Sequence, residues 1–342
     1  MKRALIAVLA LLFPLVLLAQ DADRDVLLTP DGTLYTIESV DPLAVGVDSI
    51  SQRVLQLRVQ NGTDVTNTYV PDSLSGGMHT SPSLAWDSQS KTLFIFWQKQ
   101  PNLMSSELLL CSYHDSTWSD TTSIDNGSFH IRFNLQIGVT RYAQSTDENG
   151  NRIEVPRLIV HAVWWDQTGY GENGRYAMIS IKDGRVAGID IHDLLYWVDS
   201  TRQRPAAELP ADFDRDLFRH PAIFVQSSLD AIDIVFADWD RNRLERLYLR
   251  PVTAEGQLEL PVGIWRGEID PPGLFRREAD SKITALAGSD TTKLIYYYRD
   301  GDALRYIMRK DGAWSDMMTL QLNDNVSAGL GAQALHRMIA SE

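Results

Sequence analysis

A short block of apolar and aromatic residues recurs five times along this chain of 342 residues. The blocks occupy positions 34–37, 93–97, 160–164, 232–236 and 294–298. Their first residues are 59, 67, 72 and 62 positions apart. Recurrence at a bounded spacing is typical of an architecture that copies one supersecondary unit and varies the loops between copies. We therefore predict that the chain is built from about five copies of one unit.

Each block lies between further strand-like runs. Another short run precedes it, at 25–28, 83–86, 131–137, 222–225 and 283–286, and a third run follows it, at 53–59, 107–113, 175–181, 244–249 and 303–308. Turn pairs such as Asn61-Gly62 and Asp183-Gly184 end several of the third runs. Four short antiparallel strands per unit, without a long amphipathic helix, predict an all-β fold. We expect a β-propeller of four-stranded antiparallel blades, with five blades and six as the alternative, because a β-sandwich would not explain the repeat.

The N-terminus has the pattern of a signal peptide. Lys2 and Arg3 precede an uncharged apolar run over 4–19, which Pro14 interrupts and polar residues follow. This run is shorter than the roughly 17–25 residues of a membrane-spanning helix, although a retained anchor is the alternative. We therefore assign 1–20 to a signal peptide, 21–325 to a single propeller domain and 326–342 to a C-terminal tail or short helix. The expected location is secreted or periplasmic, with no membrane insertion after cleavage.

The charge balance argues against two classes of partner. Without Lys2 and Arg3 the chain carries 30 basic and 45 acidic side chains, a net charge of −15. Nucleic acids and anionic membrane surfaces are bound by concentrated basic faces, and none is visible in this sequence. The lone Cys111 cannot form an intramolecular disulfide and lies in the apolar run 108–111, so we expect a buried thiol.

Several runs resemble blades of the sialidase-like, Asp-box-related propellers, namely 81–87, 94–97, 112–118 and 308–315. The Asp box of that family reads Ser-x-Asp-x-Gly-x-x-Trp. Here Asp115 and Trp118 are only three residues apart, as are Asp311 and Trp314, which indicates related hairpin turns. The run 218–221, Phe-Arg-His-Pro, is similar to the family's Phe-Arg-Ile-Pro motif, whose arginine clamps the substrate carboxylate. The family's other catalytic residues have no identified counterparts, so the resemblance implies the fold and not the activity.

Propeller geometry predicts where a ligand would bind. The first strand of an antiparallel blade begins beside the end of the second strand, and these positions converge around the mouth of the channel. His79, Gln98 and Lys99 occupy such positions. The candidate ligand-binding residues are Arg132, Trp165, Asp166, Arg219, His220, Asp238, Trp239, Asp240 and Arg299. Aromatic faces beside charged groups suit a sugar or another polar ligand.

The tryptophans near this mouth fall into two groups. Trp97 and Trp164 lie inside apolar runs, which predicts that they are buried between blades. Trp165 and Trp239 are flanked by aspartates, so we expect both to reach solvent.

Other motifs do not indicate a metal or a cofactor. Residues 169–174 fit the pattern Gly-x-Gly-x-x-Gly, but a strand-like run follows in place of the helix that would receive a pyrophosphate. Asp212, Asp214 and Asp216 alternate as in a calcium loop, yet Leu217 stands where such a loop needs glycine. A solvated acidic loop is therefore favoured over a calcium site, and the sequence predicts no metal and no cofactor.

These features predict an exported, non-catalytic propeller that binds a glycan, a peptide or a protein on its channel-mouth face. The alternative is a glycoside hydrolase on the same scaffold. Such an enzyme needs two facing carboxylates, for which Asp166, Asp238, Asp240 and Asp300 are the available acids, or a tyrosine nucleophile with an acid partner. A purely scaffolding role would leave the same sequence features.

Overall fold

The architecture is entirely β in the part of the chain that is described. The computed structural model describes residues 24–102, 105–128, 130–146, 149, 152–168, 171–194, 218–226, 231–240, 243–252, 262–269, 281–287, 291–298, 303–310 and 313–321. Within them the chain forms β-strands and one 3-10 turn, Pro71–Leu74, and no α-helix. The predicted all-β class is confirmed.

The first three groups of strands follow the predicted units. The first sheet contains β1 (Arg24–Leu28), β2 (Leu34–Val40), β3 (Ser51–Asn61) and β4 (Asp64–Tyr69). The second contains β5 (Gly77–Asp87), β6 (Thr92–Asn102), β7 (Ser105–His114), β8 (Thr117–Trp118) and β9 (Thr122–Ser128), and both β8 and β9 pair with β7. The third contains β10 (His130–Thr146), β11 (Arg152–Thr168), β12 (Gly171–Lys182) and β13 (Arg185–Asp193).

The last two groups repeat this arrangement. The fourth sheet contains β14 (Phe218–Gln226), β15 (Ala231–Asp240), β16 (Arg243–Val252) and β17 (Val262–Ile269). The fifth contains β18 (Ser281–Ala287), β19 (Thr291–Tyr298), β20 (Ala303–Lys310), β21 (Ala313–Trp314) and β22 (Met318–Gln321). Within each group, strands that follow one another in the chain pair antiparallel, except that β9 returns to β7 and β22 to β20. A short parallel pairing of β3 with β5 also joins the first two sheets.

The second sheet packs against its neighbours through both faces, which explains the continuous apolar blocks. On β6, Leu93, Ile95 and Trp97 join a cluster with residues of the first sheet, whereas Phe94 and Phe96 join a cluster with the third sheet. Successive side chains in a strand point to opposite faces, so a strand buried on both faces needs apolar residues at every position. The same holds in the third sheet, where β11 contributes to clusters on both sides.

The first strands of consecutive sheets lie side by side, in the order β1, β5, β10, β14 and β18. Hydrogen bonds from backbone N–H groups link three of the neighbouring pairs in the described part of the chain. The carboxylate of Asp25 accepts from the backbone N–H of Leu84 at 2.7 Å, and the Ser83 hydroxyl accepts from the N–H of Ile137 at 3.2 Å. In the same way the Gln136 side-chain oxygen accepts from the N–H of residue 223 at 3.3 Å. Antiparallel sheets that stack face to face around adjacent first strands form a β-propeller. The number of blades stays a prediction.

A second contact joins the second and third sheets at the opposite end of the first strands. Arg141 of β10 donates to both carboxylate oxygens of Asp87 at the end of β5, and the Nε contact measures 2.8 Å. Burial alone would raise the pKa of Asp87, but the hydrogen bonds from Arg141 and Ser90 outweigh it and hold the pKa below its ordinary value. Asp87 therefore remains a carboxylate that fixes the spacing of these sheets.

Three predictions fall outside the described residues and stay predictions: the signal peptide over 1–20, the acidic loop at Asp212, Asp214 and Asp216, and the tail over 326–342. The described part contains no helix long and apolar enough to cross a membrane. Cys111 is buried as expected, and burial raises the pKa of its thiol.

Candidate functional site at the channel rim

The pairing register brings together the positions that the sequence predicts to meet. On the third sheet Arg132 of β10 pairs with Asp166 of β11, and on the second sheet His79 of β5 pairs with Lys99 of β6. On the fourth sheet Asp238 pairs with the first residue of β14. We call this end of the sheets, where first strands begin and second strands end, the rim. On the second, third and fourth sheets these positions therefore lie at one edge of the sheet, and their convergence around a channel mouth stays a prediction.

The fourth sheet supplies the backbone positions of five further candidates at the rim. Arg219 and His220 lie at the start of β14, and Asp238, Trp239 and Asp240 end β15. Arg299 lies outside the described residues. The predicted role of these residues in binding a ligand, like that of Arg132, Trp165 and Asp166, stays a prediction.

The expectation that Trp165 reaches solvent is wrong. Its side chain is only 2% exposed and packs between the third and fourth sheets with Tyr176 and Ile234. The neighbouring aspartate does not draw the indole outward, because alternation along β11 turns Trp165 to the face that the fourth sheet covers. Trp97 and Trp164 are fully buried, as predicted.

Arg132 holds the second and third sheets together at the rim. Its side chain is fully buried, and its Nη2 lies 2.6 Å from the carboxylate of Asp125 on β9. Its Nη1 donates to the backbone carbonyl of Ser106 on β7 at 2.9 Å. Its Nε lies 3.8 Å from Oδ1 of Asp166. Burial lowers the pKa of Arg132, and the two carboxylates oppose that shift, so the guanidinium stays charged in its buried position.

The ion pairs continue to the outer edge of the third sheet. Arg175 on β12 lies with its Nε 3.8 Å from the other carboxylate oxygen of Asp166, and it also pairs with Asp193 on β13. Sequence reasoning missed Arg175, Asp193 and Asp125 because it considered only first and second strands. In an antiparallel sheet the third strand begins and the fourth strand ends at this same edge. This rule would have placed the three residues at the rim from the sequence.

His79 has a structural role at the rim. The indole N–H of Trp97 donates to Nδ1 of His79 at 3.0 Å, and Nε2 of His79 lies 3.1 Å from the carbonyl oxygen of Gly76. Because the indole nitrogen can only donate, Nδ1 is the acceptor and Nε2 carries the proton. Burial lowers the pKa of His79 to about 4, so the imidazole is neutral near pH 7.

Three consecutive first strands carry a β-bulge directly after their rim residues. The register shifts between Thr80 and Ser83 on β5, between Phe133 and Gln136 on β10, and between Arg219 and Ala222 on β14. In each case two residues of the first strand lie opposite one residue of the second. Bulges bend a strand and redirect its side chains, and they are frequent beside binding sites.

The bulges explain the Phe-Arg-His-Pro run in local terms. Pro221 lies in the bulge of β14 just as Pro82 lies in the bulge of β5. Proline has no N–H for the strand ladder, so within a sheet it is confined to bulges and edges. The run 218–221, which is similar to a sialidase motif, therefore lies at a bulge that contains a proline, and the same kind of bulge occurs on β5.

Among the described residues, three buried side-chain donors near the rim have no hydrogen-bond partner: Nε2 of Gln98, Nε of Arg132 and Nε1 of Trp164. All three belong to the boundary between the second and third sheets. Gln98 follows two residues after Phe96, which packs on the third sheet, and Trp164 packs on the second sheet with its ring 6.2 Å from that of Phe96. Arg132 bonds to the second sheet, as described above. We call these three residues the donor seam.

The fold defines this chain as a β-propeller protein. No protein-family model matches it, and no curated protein matches it. Solved structures are similar at low identity. An exo-β-1,3-galactanase from Phanerochaete chrysosporium, determined with galactose, is 8% identical with a TM-score of 0.41, and the match covers 89% of this chain and 65% of that one.

Two further solved structures are similar to the chain to the same degree. A GH43 β-1,3-galactosidase determined with galactodeoxynojirimycin is 7% identical with a TM-score of 0.42, over 89% of this chain and 96% of that one. A fucose-specific lectin from Aleuria aurantia is 12% identical with a TM-score of 0.43, over 87% and 77%. These likenesses assign neither a family nor an activity. The resemblance to sialidase-like propellers stays a prediction beyond the propeller fold itself.

Proposed function

We propose that this chain is an exported, non-catalytic β-propeller that binds a glycan at its rim. The donor seam is the observation that carries the proposal. A buried N–H without a hydrogen bond costs about 1–3 kcal/mol, so an oxygen that reached one of these donors would stabilise it. Because all three donors are covered in the unliganded fold, binding requires the side chains over them to move. Glycan hydroxyls and ring oxygens are acceptors of this kind. Peptide carbonyls share that property, and the experiment below includes them.

The neighbouring rim adds groups suited to the same ligand. The first strand of the fourth sheet packs beside that of the third, so the rim positions of Arg219 and Trp239 lie on the sheet next to the seam. An indole face packs on the apolar face of a sugar ring, and a guanidinium donates to its hydroxyls. Export is proposed from the signal pattern over 1–20.

Binding is favoured over hydrolysis by the surroundings of Asp166. This carboxylate has one guanidinium on each side, Arg132 and Arg175, both at 3.8 Å. A carboxylate fixed in this way serves as a structural anion between two sheets, whereas a glycosidase acid must be free to give its proton to the leaving oxygen.

The test is a glycan and peptide array probed with the chain from residue 21 onward. We expect Arg219→Ala and Trp239→Ala to weaken the binding of a positive glycan about tenfold each, which is the size expected for losing one charge-assisted hydrogen bond or one aromatic contact. Arg58→Ala, an exposed change in the first sheet, is the matched control. Unchanged binding in both rim variants, binding of peptides alone, or turnover of the glycan would each reject the proposal.

The role of the seam is tested separately with Gln98→Leu. This change removes an unpartnered donor, so we expect the free energy of unfolding to stay the same or rise while glycan affinity falls. If the partner of Gln98 were instead an internal water, the variant would lose stability and keep its affinity. Urea denaturation and titration of the same sample distinguish the two.

A further inference from the structure

A cleft of about 460 Å³ opens between the outer strands of the second and third sheets, at the end opposite the rim. It lies where β7 ends and where β12 turns into β13 at Asp183 and Gly184. Pockets for small ligands have volumes of about 300–1,000 Å³, so the cleft is large enough for one. Nothing in the rim site involves it.

The lining of this cleft, which we call the outer cleft, is mostly polar above a small apolar floor, and its wall is held in place. Phe94, Leu110, Ile181 and Val186 form the floor, and they belong to the cluster that joins the two sheets. The wall at Ser119 is fixed by two hydrogen bonds, because its hydroxyl accepts from the N–H of residue 112 at 2.8 Å and its N–H donates to the carbonyl of that residue at 2.9 Å. A rigid wall lowers the entropy cost of binding.

The mouth of the cleft carries three charged side chains. Asp120, Asp183 and Arg185 are all exposed, and no ion pair or hydrogen bond engages their side chains in the part of the chain that the structure describes. Two carboxylates and one guanidinium give the mouth one net negative charge, which disfavours an anionic ligand. Carboxylates accept hydrogen bonds and the guanidinium donates them, so the mouth suits a ligand that does both.

We propose that the outer cleft is a second binding site, for a neutral mono- or disaccharide. Each hydroxyl of a sugar both donates and accepts, which matches the mouth and the polar lining, and the C–H face of a pyranose ring is small enough for the apolar floor. The site is separate from the rim, because its lining residues lie at the opposite ends of strands β6, β7, β9, β12 and β13.

The experiment is calorimetric titration of the protein with lactose and cellobiose, and with sialyllactose as the negatively charged comparison. We expect a neutral disaccharide to bind at millimolar concentration or below, and sialyllactose to bind more weakly. Arg185→Ala and Asp120→Ala should each weaken binding roughly tenfold, since each removes a charge-assisted hydrogen bond. Val186→Trp, which fills the floor from a partly exposed strand, should abolish it.

Two matched variants control for charge alone. Arg58→Ala and Asp64→Ala change exposed residues of the first sheet and should leave the affinity unchanged. Absence of binding for both neutral disaccharides overturns the inference. Binding that is lost in Arg219→Ala and kept in Arg185→Ala also overturns it, and in that case the sugar belongs to the rim and the proposed function stands. If sugar binding is lost in Arg185→Ala and unchanged in Arg219→Ala, the result supports binding in the outer cleft and not at the rim.

Discussion

Arg132 illustrates how a single residue can join two sheets without being available to solvent. Removing a guanidinium from water is unfavourable unless carboxylates and hydrogen bonds compensate it, and here Asp125, Asp166 and the carbonyl of Ser106 do so. The sequence predicts that Arg132 binds a ligand. In the structure its contacts join the second and third sheets.

Replacing Arg132 should therefore destabilise the fold. We expect Arg132→Ala to lower the free energy of unfolding by about 3 kcal/mol, because it removes a guanidinium that lies beside the carboxylates of Asp125 and buried Asp166. The measurement is urea denaturation followed by far-UV circular dichroism. Arg58→Ala, which alters an exposed arginine, should change stability by less than about 0.5 kcal/mol. Equal effects of the two variants would show that the buried ion pairs contribute no net stability.

The buried histidines predict how stability depends on pH. Burial lowers the pKa of His79 to about 4 and that of His161 to about 3, against an ordinary value of 6.5. As the pH falls below 6.5, the histidines of the unfolded chain take up protons while those of the folded chain stay neutral. The stability they contribute above pH 6.5 is therefore lost between pH 6.5 and the folded-state pKa, about 4 for His79 and about 3 for His161. The loss from His79 alone is on the order of 3 kcal/mol.

The variant His79→Gln tests whether His79 causes the loss of stability at acid pH. An amide can accept a hydrogen bond from Trp97 and donate one to the carbonyl of Gly76, but it does not titrate. Denaturation at pH 7 and pH 4.5 should show a smaller difference in the variant than in the parent chain. An unchanged difference would assign the acid sensitivity to other groups.

At the scale of the strand, the repeated bulge is the element that shapes the rim. Ser81, in the bulge of β5, has a φ of +53°, in the left-handed region that favours glycine. We expect Ser81→Gly to be more stable than Ser81→Ala by about 1 kcal/mol, because glycine adopts this conformation without the Cβ clash. Thermal unfolding of the two variants checks the order. If alanine is the more stable, the bulge does not impose this backbone conformation in solution.

At the scale of the whole molecule, stability comes from sheets that pack through both faces. Ile95 faces the first sheet and Phe96 faces the third, so adjacent residues of one strand should both be intolerant of truncation. We expect losses of about 2–4 kcal/mol for Ile95→Ala and about 3–5 kcal/mol for Phe96→Ala.

Ile50→Ala is the matched control for Ile95→Ala, because Ile50 is 84% exposed. It should cost well under 1 kcal/mol, as surface changes usually do. Chemical denaturation of all three variants gives the comparison. Tolerance of either Ile95→Ala or Phe96→Ala would contradict packing on both faces and indicate a sheet with one solvated face.

Most of the fold could be predicted from the sequence because its signals are local. The five apolar blocks, the turn pairs between them and the absence of helical periodicity specify strands of defined length, and all five blocks lie in strands of the structure. Continuous apolar residues in 93–97 also indicate burial on both faces, as found for Trp97 and Phe96. These properties depend on the period of the strand and on neighbours within a few positions.

The site was decided by tertiary structure, because its members are neighbours only across strands and between sheets. The sequence placed Arg132 and Asp166 at one edge, yet it could not show that Asp125 of the preceding sheet would bind that arginine or that Trp165 would face the fourth sheet. The unpartnered donors of Gln98 and Trp164 also become visible only when two sheets meet. The strand period determines which residues share a face, and the packing of one sheet on the next determines what that face contacts.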